Sequence, residues 1–278
     1  MLYLLLAILS SSMIAIIMRI SADKVSANVS MLAVNYTVCT LLSAAYAGFD
    51  LISPEISGFS LSTWLGIISG FFYLGGFVLF QTSTRRNGVV LTSVFMKLGL
   101  LVPIVVSVIA FREFPTVVQT LGFFLAVFAI VLINLKKENT KKGMGFGLLL
   151  LLLTGGGGDA IAKIFERLAP AELSDQYLFY TFGMALFLSI LLVLYKKEHP
   201  GLPELFFGAV IGVPNFFSSK FLLGALTKLP AVVVFPSFSV GTMLVVTLTG
   251  VIVFKERLSK LQWFALTMII AALILLNI

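Results

Sequence analysis

The chain has one cysteine, one histidine and only 11% charged residues in 278. A lone cysteine, Cys39, excludes an intramolecular disulfide, and its apolar neighbourhood suits a packing role. The lone histidine, His199, lies in a loop, so neither a His/Cys metal cluster nor a Ser-His nucleophile pair is available within the apolar segments. A membrane-embedded enzyme is therefore the least suited class, and neither metal nor cofactor is expected. There is no Gly-x-x-x-x-Gly-Lys-[Ser/Thr] loop to cradle phosphates, so the chain does not use ATP directly. With 59% hydrophobic residues, there is too little polar surface to cover a soluble globule. No basic region precedes the first apolar stretch, which reads as a retained helix and not a signal peptide.

What is present instead is a series of long apolar stretches. Ten are legible, near 2–18, 29–48, 63–84, 88–110, 115–135, 144–165, 176–195, 205–227, 231–254 and 259–278. Each approaches the ~20 residues that cross a hydrocarbon core as helix. They lack the alternation of barrel strands, and helices satisfy their backbone polar groups internally. The reading is an all-α integral membrane protein.

The basic residues are distributed unevenly. The turns after spans one, three, five, seven and nine hold Arg19, Lys24, Arg85, Arg86, Lys136, Lys137, Lys141, Lys142, Lys196, Lys197, Lys255, Arg257 and Lys260. The opposite turns hold only Arg112, Arg167 and Lys228. The positive-inside bias makes the richer side cytoplasmic and places both chain ends outside. These clusters are topogenic charge, not a nucleic-acid surface.

A repeat organises the chain. Phe111-Arg112-Glu113, Gln119 and Leu132-Ile133-Asn134 return as Phe254-Lys255-Glu256, Gln262 and Leu275-Leu276-Asn277, every position shifted by 143. Residues 71–135 laid on 214–278 give 15 identities in 65. The halves are 1–135 and 144–278, joined by a basic linker at 136–143. Five spans per half is an odd number, so the copies enter the membrane in opposite senses, as inverted repeats of secondary transporters do.

A helix ending in Phe-x-Glu, a Gln six residues on, and a closing helix ending near Leu-Ile-Asn, given twice, resembles the EamA-type branch of the drug/metabolite transporter superfamily over essentially the whole chain. The resemblance implies a ten-helix carrier of small metabolites, often amino-acid-like or drug-like compounds moved outward. Its central cavity is lined by the first, third, fourth, sixth, eighth and ninth helices. The last helix of each half then serves packing or homodimer contacts. Many such carriers keep their ends in the cytoplasm, opposite to the charge count here. The expected location is the cell membrane, with lipid and a small-molecule substrate as partners. A channel or an accessory protein is the alternative.

The matched residues read as scaffold: Glu113 and Glu256 beside helix starts, Gln119 and Gln262 bonding between helices of one half. Ionisable residues within spans are the better functional candidates, because hydrocarbon makes them costly unless they meet a cavity or a partner. Lys97 lies near mid-membrane, opposite Val240 in the other copy, and suits an anionic substrate group or a carbonyl freed by Pro103. Asp159 and Lys220 each stand 15 residues into spans of the same direction, at ~22 Å along the helix. They are expected to pair, statically or as a proton-linked switch. Lys163 competes for Asp159 or snorkels. Gly155–Gly158 either breaks the sixth helix or packs it closely, and Ser12 belongs to the matching small-residue stretch of the first. Tyr73, Phe77 and Gln81, with Asn215 and Ser219, complete an expected pocket lining. Gly66-x-x-x-Gly70 and Gly208-x-x-x-Gly212 read as packing grooves.

Overall fold

The structure is a computed structural model that describes residues 1–48, 51–87, 92, 95–134, 146–255 and 259–278. The linker 136–143, Glu256 and the side chain of Gln81 lie outside the described residues. The helices are α1 (Leu2–Ser21), α2 (Asn28–Tyr46), α3 (Phe59–Asn87), α4 (Phe95–Phe111, with a 3-10 turn at Leu98–Leu100), α5 (Val117–Asn134), α6 (Phe146–Leu168), α7 (Ser174–Lys196), α8 (Leu202–Leu226), α9 (Ala231–Ile252) and α10 (Lys260–Leu276). Among the described residues, seven helices are long and apolar enough to cross a membrane. The apolar runs at Phe95–Phe111, Val117–Leu132 and Lys260–Leu276 are shorter.

Local structure repeats with the sequence. Arg112 and Lys255, equivalent under the 143-residue shift, both adopt left-handed backbone, with φ of 55° and 53°. Such a residue ends a helix by turning its N–H back onto an orphan carbonyl; Arg112 N–H reaches Ser107 O. Gln119 and Gln262 differ from the expected interhelical role. Thr116 and Gln119 cap each other's backbone N–H at 3.2 and 3.1 Å, and Ser259 and Gln262 do the same at 3.2 and 2.9 Å. This reciprocal box satisfies donors that a helix start leaves unpaired. The matched glutamines therefore start helices.

The chain forms two compact units that do not follow the sequence halves. The first comprises Met1–Leu74 and Ile164–Thr227, the second Gly75–Lys163 and Lys228–Ile278.

In the first unit α8 packs on α1 and α2, and α2 on α7. Lipid gives helices no hydrophobic reason to associate, so close approach at small residues must supply the contact. A Cβ on Gly208 would meet Met31 O at 2.6 Å, and one on Gly212 would meet Val38 Cβ at 2.6 Å, which sets α8 against α2. Gly66 and Gly70 set α3 against Tyr177–Ala185 of α7 in the same way. Beside these contacts, carboxylates from the α7–α8 region serve the N-terminus of α2. Glu204 accepts from Ser26 N (2.9 Å) and Ala27 N (3.2 Å), and Glu198 accepts from Ser30 N (2.9 Å). Helix α2 has no side-chain cap of its own, and negative charge suits the positive end of its dipole.

In the second unit α5 packs on α10, its counterpart in the other half, and α9 contacts α4, α5 and α10. Gly122 makes room for Leu275 and Leu276. Helix α6 runs unbroken through Gly155–Gly158. A Cβ on Gly99 would lie 2.7 Å from Gly156 N and 2.9 Å from Gly155 C, so the backbones of α4 and α6 nearly touch. The glycine run is thus a packing surface, not a break.

Candidate functional site

The Gly99–Gly156 approach decides where the second unit's charges stand. Lys97 is two residues from Gly99, and Asp159 is one turn beyond Gly155, whose Cβ position faces Met96. Each is the other's electrostatic partner, and both are half-buried. Among the described residues neither makes a hydrogen bond or an ion-pair contact within 4 Å. An amine and a carboxyl side chain therefore sit on closely packed helices without closing on each other. A group in hydrocarbon costs ~2.5–3.5 kcal/mol when ionised at mid-helix, which a partner offsets.

Asp159 and Lys220, expected to pair, belong to different compact units, and Lys220 has a partner within its own. Lys220 Nζ donates to Asp175 Oδ1 at 2.6 Å in the first unit. Equal depth along two helices fixes height but not azimuth or neighbour; the carboxylate that Lys220 meets is in the first turn of α7. Lys163 likewise takes neither expected course. It is fully buried and donates to Glu113 Oε1 at 2.8 Å. Glu113 also accepts from the Ser107 hydroxyl and from Ala231 N, at 3.5 Å, so it tethers α4, α6 and the start of α9. Its helix terminus is that of α9, not that of the following helix α5.

Burial alone would raise the Glu113 carboxyl, but hydrogen bonds from Lys163 and Ser107, with the Lys163 charge, hold it below the usual carboxylate range. A folded-state value below the unfolded one of about 4.3 contributes stability above that pH, lost as pH falls through the folded value. The unfolding midpoint in detergent should therefore fall on acidification below about pH 4.3, and Glu113→Gln should flatten that limb. An unchanged acid limb in the variant would remove Glu113 from this role.

Other expected lining residues divide. Tyr73 Oη and Ser219 Oγ are 3.2 Å apart, and Asn215 donates to Asn35 Oδ1 at 3.1 Å, all within the first unit. Phe77 belongs to the second unit and is half-buried. Ser12 is buried, and its hydroxyl donates to Ile8 O at 2.7 Å. Cys39 is buried and donates to Gly212 O at 3.3 Å, a packing role as expected. A groove of about 300 Å³ lined by Ser10, Met13, Val213, Pro214, Phe217 and Phe221 has no charge with which to orient a substrate. Sequence reading missed Asp175, Tyr46, Glu198 and Glu204; the acidic first turn of α7 was the available signal for the first.

The model of the EamA-like transporter family matches residues 1–135 and 141–278. An uncharacterized protein of Haemophilus influenzae is 24% identical over 282 residues, covering 97% of this chain and 95% of that protein. A solved crystal structure shares the fold with a TM-score of 0.73 at 15% identity, over 99% of this chain and 94% of that one.

Proposed function

The chain belongs to the EamA-like transporter family and is a multi-pass membrane transporter of small molecules; from that premise we propose that it is a secondary carrier exporting a small, amino-acid-like or drug-like metabolite across the cell membrane. The two halves, 1–135 and 144–278, are inverted five-helix repeats that exchange conformations to alternate access. The observation that carries this reading is the Lys97–Asp159 pair, half-buried on facing helices and not closed into contact. A substrate carboxylate binds Lys97, and Asp159 either receives the substrate's cationic end or carries the proton that couples transport to the gradient. The positive-inside distribution sets both chain ends outside.

The test is the purified chain alone in proteoliposomes loaded with metabolite mixtures, with and without a pH gradient. Saturable counterflow supports a carrier, and its dependence on the gradient identifies the proton. Ohmic current in a planar bilayer would replace the carrier reading with a pore. No flux by the purified chain would leave the proposal without support from its own activity and favour an accessory role.

A further inference from the structure

Lys220 sits in a container with walls from α2 and α7 and from the preceding turn of its own helix, α8. Its ammonium, 2.6 Å from Asp175 Oδ1, also lies 4.0 Å from the centroid of the Tyr46 ring and 5.8 Å from that of Phe216. A carboxylate with aromatic faces is the chemistry that recognises organic ammonium ions, because ring quadrupoles and the anion both favour a cation that sheds water easily. Each wall has its own support. Tyr46 packs at 5.3 Å from Phe216 and 6.0 Å, edge-on, from Phe217. Asp175 stands in the first turn of α7, where the helix dipole favours a carboxylate. The box is also reachable: Tyr46 ends α2 and is 51% exposed, and the side chains of Lys220 and Asp175 keep 28% and 19% exposure.

We propose that Asp175, Tyr46 and Phe216 form a binding site for an organic ammonium ion, which Lys220 occupies as a tethered ligand and a free amine enters by displacing it. The lysine stem is flexible and its ammonium is a compact point charge, so the arm swings out without disturbing the walls. Tethering gives the resident ammonium a high effective concentration, and the wild-type site takes free amines weakly for that reason. This inference is independent of the Lys97–Asp159 reading and is tested without transport.

Lys220→Ala in detergent should lower the unfolding midpoint, and millimolar n-butylammonium should recover at least half of that loss in a saturable way, which sodium at equal ionic strength does not. Lys220→Met, which keeps most of the stem, should be recovered by methylammonium. Adding Asp175→Asn should abolish recovery in both. Recovery by soluble amine in detergent identifies free amines as the ligand; recovery only in nanodiscs of phosphatidylethanolamine, and not of phosphatidylglycerol, identifies a lipid headgroup ammonium in the same site. On the wild-type chain, tetramethylammonium should raise acylation of Lys220 several-fold by peptide mass spectrometry. Absence of any amine-dependent shift, recovery that survives Asp175→Asn, or unchanged Lys220 labelling would each overturn the proposal.

Discussion

Replacing Lys97 by Met should cut transport by roughly ten- to a hundredfold while the chain still inserts and folds. Met keeps the length and apolar character of the stem and removes only the charge. Asp159 then loses its partner on α4, and a charge-assisted hydrogen bond from the ammonium, ~1.5–3 kcal/mol where 1.4 kcal/mol is a factor of ten, can no longer form. If the substrate presents a carboxylate, that term is lost from binding as well. Asp159→Asn should separate the roles. Flux that persists in Asp159→Asn but no longer responds to the pH gradient assigns the proton to Asp159, whereas flux lost in both assigns the pair to the substrate. Flux unchanged in Lys97→Met, with normal expression and elution profile, would remove Lys97 from the site.

A second large effect is expected from Gly156→Ala. The new Cβ would fall on the Gly99 carbonyl oxygen, 2.7 Å from its carbon and 2.8 Å from Val102 Cβ. The nearest of these atoms are backbone and cannot rotate away, so α4 and α6 must separate. Overpacking at a close backbone contact should cost more than about 3 kcal/mol, seen as aggregation or a sharply lower midpoint. Gly155→Ala should be milder, because its nearest neighbour at 2.8 Å is the Sδ of Met96, whose side chain is flexible. Gly183→Ala in α7 meets nothing within 4 Å and should be neutral or stabilising by up to about 1 kcal/mol. Equal tolerance at all three positions would contradict the close approach that brings Lys97 and Asp159 together.

The two proposals place different charges in different compact units, and their tests read different quantities. Loss of flux in Lys97→Met with intact amine recovery at Lys220→Ala supports both. The reverse pattern retains a cation site on a chain whose transport determinants lie elsewhere.

The duplication was legible because Glu, Gln and Asn are rare enough in apolar spans that their matched spacing carries weight. The structural role of the glutamines was legible only in part. Their equivalence pointed to scaffold, but the hydroxyls at Thr116 and Ser259 that complete each capping box are different residue types and escaped the identity count. The GxxxG pairs were read correctly as packing surfaces, since small residues at that spacing line one helix face. Charge partners were not legible. Lys220 was assigned to Asp159 and meets Asp175; Lys163 was assigned to Asp159 or the interface and meets Glu113.

By itself the sequence determined the helical membrane class, the internal copy, the glycine faces and the set of ionisable residues that need an explanation in hydrocarbon. Each follows from composition or from spacing along one helix. Only the tertiary structure decided that Lys97 faces Asp159, that Lys220 lies among Asp175, Tyr46 and Phe216, and that Glu198 and Glu204 serve the start of α2. Those choices depend on which helices adjoin and how each is rotated about its axis. Backbone contact at a few glycines sets both, and a linear count of residues gives only depth.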